Sequence, residues 1–165
     1  MEFYNKSEIM NSFMCYEQIL KERRNLKMKI KFIPENENVK LPYKKHYWDA
    51  ANDFEMDRDI VIKPGENIIP LNFRAIVPHG MAGFITLRSS WMSKGLMCLF
   101  VPVDADYSGI WHFMCYNVTD KDIVVKKGER LVQLMFLDIV DSEFVLEEDH
   151  DAHMRGDNGL GSTGK

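Results

Sequence analysis

A chain of 165 residues fits one domain, with enough interior to bury a real core. Its 45% hydrophobic and 28% charged content excludes wholesale disorder, and a formal charge of −4 gives no basis for non-specific nucleic-acid binding. An anionic ligand must then be met by a local cluster of Arg, Lys and backbone N–H groups, or by a metal.

In chain order, Ser7 to Asn25 carries Ile9, Phe13, Tyr16 and Leu20 at helical spacing, with Ser7 placed as N-cap and Lys21, Arg23 and Arg24 near the C-terminal end. From Lys29 the pattern changes to strands. Lys29 to Ile33 alternates before Pro34, and Ile60–Ile62, Ile68–Ile69, Ala75–Val77 and Gly83–Leu87 follow at short spacing. An unbroken apolar run from Leu96 to Val103 reads as one buried strand and its continuation. Ile123–Val125 and Leu131–Phe136 complete the set. Turns recur at Lys63-Pro64-Gly65-Glu66, Pro78-His79-Gly80, Asp120-Lys121-Asp122 and Lys127-Gly128-Glu129. Ser89 or Ser90 can open a short helix that Gly95 stops. Many short, regularly punctuated strands predict an all-β sandwich or barrel of jelly-roll-like order. Asp149 to Lys165 is polar and Gly-rich, the composition of a mobile arm.

Three cysteines, Cys15, Cys98 and Cys115, lie in apolar surroundings without C-x-x-C spacing, which suits a reduced, cytoplasmic protein. No apolar run approaches a membrane span, and Glu2 argues against a secretion signal, so neither membrane nor nucleic acid is an expected partner.

Chemistry concentrates after Val103. Asp104, Asp106, Tyr107 and Gly109 arrive within six residues, where the apolar run ends. An Asp at the mouth of an apolar wall can orient a water or take its proton, and Tyr107 offers a flat face to a sugar or base. Read alone, the same residues also make an ordinary acidic turn. Arg88 presents a planar fork, and Ser89 and Ser90 add hydroxyls and N–H groups suited to phosphate, or simply a capped helix. Gln133 is a polar residue in an otherwise apolar strand, either a donor to a ligand or an amide satisfied within the protein.

Five blocks stand in order: Asp49-Ala50-Ala51-Asn52-Asp53, Leu87-Arg88-Ser89-Ser90, Val103 to Gly109, Gly128 to Leu134, and Arg155 to Gly164. Together they resemble the five motifs of the trimeric dUTPases, a family related to the dCTP deaminases. The resemblance spans roughly Lys29 to Lys165. It implies a jelly-roll-like dUTPase β domain over 28–148, preceded by a helical extension (1–27) and followed by a flexible phosphate-binding arm (149–165). It also implies a Mg²⁺-dependent dUTP diphosphatase working as a homotrimer, with each site assembled from three subunits.

By the same resemblance Asp104 orients the attacking water and Tyr107 lies beneath the deoxyribose. Arg88, Ser89, Ser90, Gln133, Arg155, Gly161, Ser162 and Thr163 hold the phosphates, and Asp53 meets the Mg²⁺ site through water. Leu160 stands where the arm usually carries an aromatic ring over the uracil, leaving Trp111 or Phe100 to supply one. The base-recognition hairpin has Leu99-Phe100-Val101-Pro102-Val103 where glycine is usual, and Pro102 has no N–H to offer a base. The deaminase relatives carry a glutamate where this chain has Phe113-Met114-Cys115-Tyr116-Asn117, so deamination is not expected. The remaining alternatives are a regulatory nucleotide-binding relative without catalysis and a diphosphatase for another deoxynucleoside triphosphate.

Overall fold

Alternating burial along β6 (Met81–Leu87) and β11 (Arg130–Asp138) shows why these segments are strands with one face on the core. They pair antiparallel from Val132↔Leu87 to Asp138↔Met81 and form the spine of the molecule. The computed structural model describes residues 28–146. The helical extension expected over 7–25 and the arm expected over 149–165 lie outside those residues.

Around the spine, β2 (Asn52–Glu55) flanks β11 and β8 (Val101–Val103) flanks β6, giving a four-stranded sheet in the order β2-β11-β6-β8. A second sheet has the order β4-β9-β7, from β4 (Gly65–Pro70), β9 (His112–Asn117) and β7 (Leu96–Cys98). Two ribbons complete it: β1 (Lys31–Pro34) with β5 (Phe73–Ile76), and β3 (Ile60–Ile62) with β10 (Ile123–Val125). Every pairing is antiparallel. Among the described residues the one helix is α1 (Ser89–Met92), a single turn, and the fold is the all-β jelly roll expected from the sequence.

The core is aromatic at its centre. Phe73 stacks on Phe32 at 4.7 Å between centroids and tilts against Phe54 at 5.0 Å and Trp111 at 5.4 Å. Trp111 fits because β6 carries Gly83 beneath it, where a Cβ would come 2.6 Å from the indole ring. Ile62, Leu71, Phe113, Leu131 and Leu134 close the interior from the other strands.

One expectation fails here. The apolar run from Leu96 to Val103 is not a single buried strand: β7 joins the sheet of β9 and β8 joins that of β6. The chain crosses between sheets at Leu99 and Phe100, which are 71% and 53% exposed. Unbroken hydrophobicity does not separate one strand from two that share a corner.

Candidate active site

Asp53 is buried at the middle of β2, opposite Gln133 of β11, which in turn faces Thr86 of β6. Three side chains converge on its carboxylate. Arg88 Nε lies 3.0 Å from Oδ1, Gln133 Nε2 donates to Oδ1 at 3.0 Å, and Arg130 Nη1 donates to Oδ2 at 2.7 Å. A buried carboxylate with two guanidiniums and an amide is compensated, and it fixes the forks of both arginines.

Arg130 reaches this point because β11 bulges. The pairing runs Arg130↔Glu55 and then Val132↔Phe54, so Leu131 is an extra residue. Strict alternation would send Arg130 to the face opposite Gln133; the bulge turns it to the same side. Arg130 has no part in the pattern of alternation, and the signal missing from the sequence is this one-residue slip. The bulge also anchors the Arg88 segment: Arg88 N–H donates to Leu131 O at 3.1 Å, and Trp91 Nε1 to Arg130 O at 2.9 Å. Ser89 and Ser90 open α1 in exposed positions, their first-turn N–H groups lacking intrahelical partners. Asp53, Arg88, Ser89, Ser90, Arg130 and Gln133 thus form one cluster, in which the Gln133 amide is satisfied by Asp53.

Asp104 and Tyr107 lie elsewhere. β8 pairs with the far half of β6, with Val103 opposite Gly83. Arg88, just past the end of β6, lies five steps along the chain from Gly83, roughly 16 Å at about 3.3 Å per residue. After Val103 the chain turns, Tyr107 N–H donating to Asp104 O at 3.2 Å, and both Asp104 and Asp106 are exposed. The Tyr107 ring is 42% exposed, with its hydroxyl donating to Ile110 O at 2.9 Å. It rests on Gly109, where a Cβ would meet the phenol oxygen and ring and displace them, so the glycine lets the ring lie as it does. Arg74, which sequence reading missed, holds the loop through Ser108 O at 3.0 Å and is itself gripped by Glu35 at 2.6 Å.

The hairpin candidates also separate. Trp111 is buried in the core and offers no ring to a ligand, whereas Phe100 is exposed and stacks flat on Phe84 at 4.3 Å. Arg155, Leu160, Gly161, Ser162 and Thr163 lie outside the described residues.

A carboxylate has about four lone-pair sites; Gln133 takes one on Oδ1 and Arg130 one on Oδ2, with the Arg88 guanidinium paired beside Oδ1, so Asp53 keeps room for a water. That donor set suits a hard cation which arrives with phosphates and keeps its own waters, not an all-protein cage. Among the described residues no group of three or more His, Cys, Asp or Glu side chains is placed to hold an ion directly.

The family model for dUTPase matches residues 37–164. Deoxyuridine 5'-triphosphate nucleotidohydrolase of Desulfitobacterium hafniense is 33% identical over 147 residues, 85% of this chain and 97% of the relative. That of Corynebacterium glutamicum is 34% identical over 143 residues, 82% and 95% of the two chains. In solved structures the fold resembles the dUTPase of Staphylococcus bacteriophage 80alpha bound to dUpNHpp, with TM-score 0.75, 22% identity and coverage of 84% of this chain and 100% of that one. It also resembles the dUTPase of phage phi11 of S. aureus, described with a structural Mg(II) ion, at TM-score 0.69 and 20% identity over 76% of this chain and 100% of that one. With its blocks in order, its strands in the matching fold and its family model spanning most of the length, the chain belongs to the dUTPase family.

Proposed function

We propose that this protein hydrolyses dUTP to dUMP and pyrophosphate, in a homotrimer whose sites lie between subunits. The observation that carries the reading is the Asp53 cluster, which gathers residues from three of the five blocks beside the exposed hydroxyls of Ser89 and Ser90. Arg88, paired through Nε with Asp53 and about a quarter exposed, brings the donors of a planar fork to phosphate. Gln133, Ser89 and Ser90 complete this wall; Arg155, Gly161, Ser162 and Thr163 close over the outer phosphates, and Leu160 covers the base.

Asp104, exposed at the end of β8, orients a water and takes its proton as the oxygen attacks the α-phosphorus in line with the bridging oxygen. Pyrophosphate leaves on the far side, while Tyr107, pinned over Gly109, supports the deoxyribose and leaves no room for a 2′-hydroxyl. Mg²⁺, carried by the phosphates and touching Asp53 through water, would spread the charge that builds on the triphosphate.

Assembly is supported by the separation of Asp104 from Arg88 along β6: one chain does not bring the water-orienting acid to its own phosphate wall, and a symmetric neighbour can. The apolar side chains between Ile139 and Leu146, on either side of Asp141-Ser142-Glu143, point the same way. Val140, Phe144 and Leu146 are 91%, 98% and 102% exposed, a state that association would relieve.

The test is a panel of deoxynucleoside triphosphates with Mg²⁺, read as pyrophosphate released. Preference for dUTP is expected. The exposed Phe100 and Pro102, which has no N–H to offer a base, favour one alternative, in which another deoxynucleoside triphosphate turns over fastest. No release from any substrate would leave a nucleotide-binding relative without catalysis.

A further inference from the structure

Cys98 of β7 and Cys115 of β9 are register partners. The type of pair follows from the hydrogen bonds beside it. Val118 N–H donates to Gly95 O at 2.9 Å, which makes Gly95↔Val118, one step before Leu96↔Asn117, a hydrogen-bonded pair. Antiparallel pairs alternate, so Leu96↔Asn117 is non-hydrogen-bonded, Met97↔Tyr116 hydrogen-bonded and Cys98↔Cys115 non-hydrogen-bonded. At such pairs the Cα atoms stand about 4.5 Å apart with both side chains on one face, inside the roughly 4.4–6.8 Å that a disulfide spans. The shared face is the interior one, since Leu96 and Asn117 are buried while Met97 and Tyr116 are exposed.

We propose that Cys98 and Cys115 form a reversible cross-strand disulfide on exposure to peroxide, and that the bond slows turnover by loosening the strand end that carries Arg88. Cys98 is half-buried and so the thiol a small oxidant reaches first; Cys115 is buried, which together with the neighbouring Cys98 pushes its thiol up to about 11. The Cys98 sulfur attacks one oxygen of hydrogen peroxide; the O–O bond breaks, water leaves and a sulfenic acid remains. The Cys115 sulfur then attacks the Cys98 sulfur, the S–O bond breaks, and the thiol proton leaves with the hydroxyl as a second water. Two electrons pass from the thiols to the peroxide, and a dithiol reductant reverses the step.

The link to the site runs through Leu87. Its N–H donates to Cys98 Sγ at 3.3 Å, and Leu87 is the last residue of β6, next to Arg88. Closing the disulfide draws the Cys98 sulfur toward β9 and takes the acceptor from a backbone N–H in a residue only 2% exposed. The backbone just before Arg88 thereby loses one of the bonds that hold it, while the Arg88 N–H stays on Leu131 O.

The experiment uses the full chain with Cys15→Ser, so that these two are its only thiols and a response reversed by dithiothreitol is theirs. Treatment with hydrogen peroxide should yield a proteolytic peptide pair linking Cys98 to Cys115, with the loss of two hydrogens. Pyrophosphate release should fall several-fold and return with dithiothreitol. Cys115→Ala, which keeps the Leu87–Cys98 contact, should retain turnover and lose the response. Both thiols still open to alkylation after treatment, or oxidised separately without a link, would overturn the disulfide. A linked protein with undiminished turnover would overturn the coupling through Leu87. Peptide mapping of the Cys15→Ser chain needs no activity, so failure of this inference is distinguishable from failure of the proposed reaction.

Discussion

Two buried carboxylates, Asp53 and Asp57, sit four residues apart, each 6% exposed and each held by three side chains. Asp57 takes Asn72 at 2.8 Å and Asn36 at 2.9 Å on Oδ2, and Arg58 at 2.7 Å on Oδ1. Arg58 reaches on to Pro70 O at 2.9 Å, and Asn72 holds a left-handed backbone with φ 56°. The Asp57 knot therefore ties loops together and ends there. The Asp53 knot has a different continuation: its donors Arg88 and Arg130 are each 27% exposed, and Arg88 leads directly into Ser89 and Ser90. A satisfied buried acid is by itself a structural device; what its donors present to solvent is what distinguishes a site.

This difference predicts that substitutions divide into those that affect turnover and those that affect stability. The largest effect is expected at Asp104, outside both knots. Asp104→Asn should lower kcat by about 10²–10⁴, the range for a positioned acid–base group, with nucleotide binding largely kept. Asp106→Asn, in the same exposed turn, should spare turnover, as steady-state pyrophosphate release will show. Next, Arg88→Ala should lower kcat/KM by about 10²–10³, as for loss of one preorganised stabilising donor. The melting temperature should barely move, because Arg130 and Gln133 still satisfy Asp53.

At the other knot the signs reverse. Asp57→Ala should cost about 2–3 kcal/mol in urea unfolding, in line with charge-assisted hydrogen bonds to a buried acid. Turnover should be unchanged wherever the protein is folded. The smallest effect is in pH. Burial works to raise the Asp57 carboxyl, but Asn72, Asn36 and Arg58 outweigh it and hold the group below its usual value. Its contribution is then full above the ordinary carboxylate value of about 3.9 and fades as pH falls through the lower folded value. The stability gap between the protein and Asp57→Asn should narrow only below about pH 4. A gap that narrows near neutrality would assign the wrong group.

The jelly-roll class and most strands were legible because alternation and turn residues report one face at a time; β2 and β9, whose acids and polar residues interrupt the apolar pattern, were not. Asp53, Arg88 and Gln133 were legible as motif members, but the bond that joins them was not: it needs β2, β11 and β6 side by side. Arg130 was hidden by the bulge at Leu131, which reverses the parity on which face assignments rest. Asp57, Asn36 and Asn72 carry no motif at all, since loop-to-loop bonds across 15 and 21 residues leave no periodic trace. The break at Leu99 and Phe100 was masked by hydrophobicity that continues through an exposed corner.

In the proposed trimer the acid and the phosphate wall of one site belong to different copies of the chain. Arg88→Ala and Asp104→Asn are each expected to be nearly inactive, and a mixed population tests the claim directly. Unfolded together in equal amounts and refolded, the two variants should regain about a quarter of the wild-type sites, the fraction in which random closed assembly sets an intact Asp104 against an intact Arg88. Activity no higher than that of the separate variants would contradict the account and confine each site to a single chain.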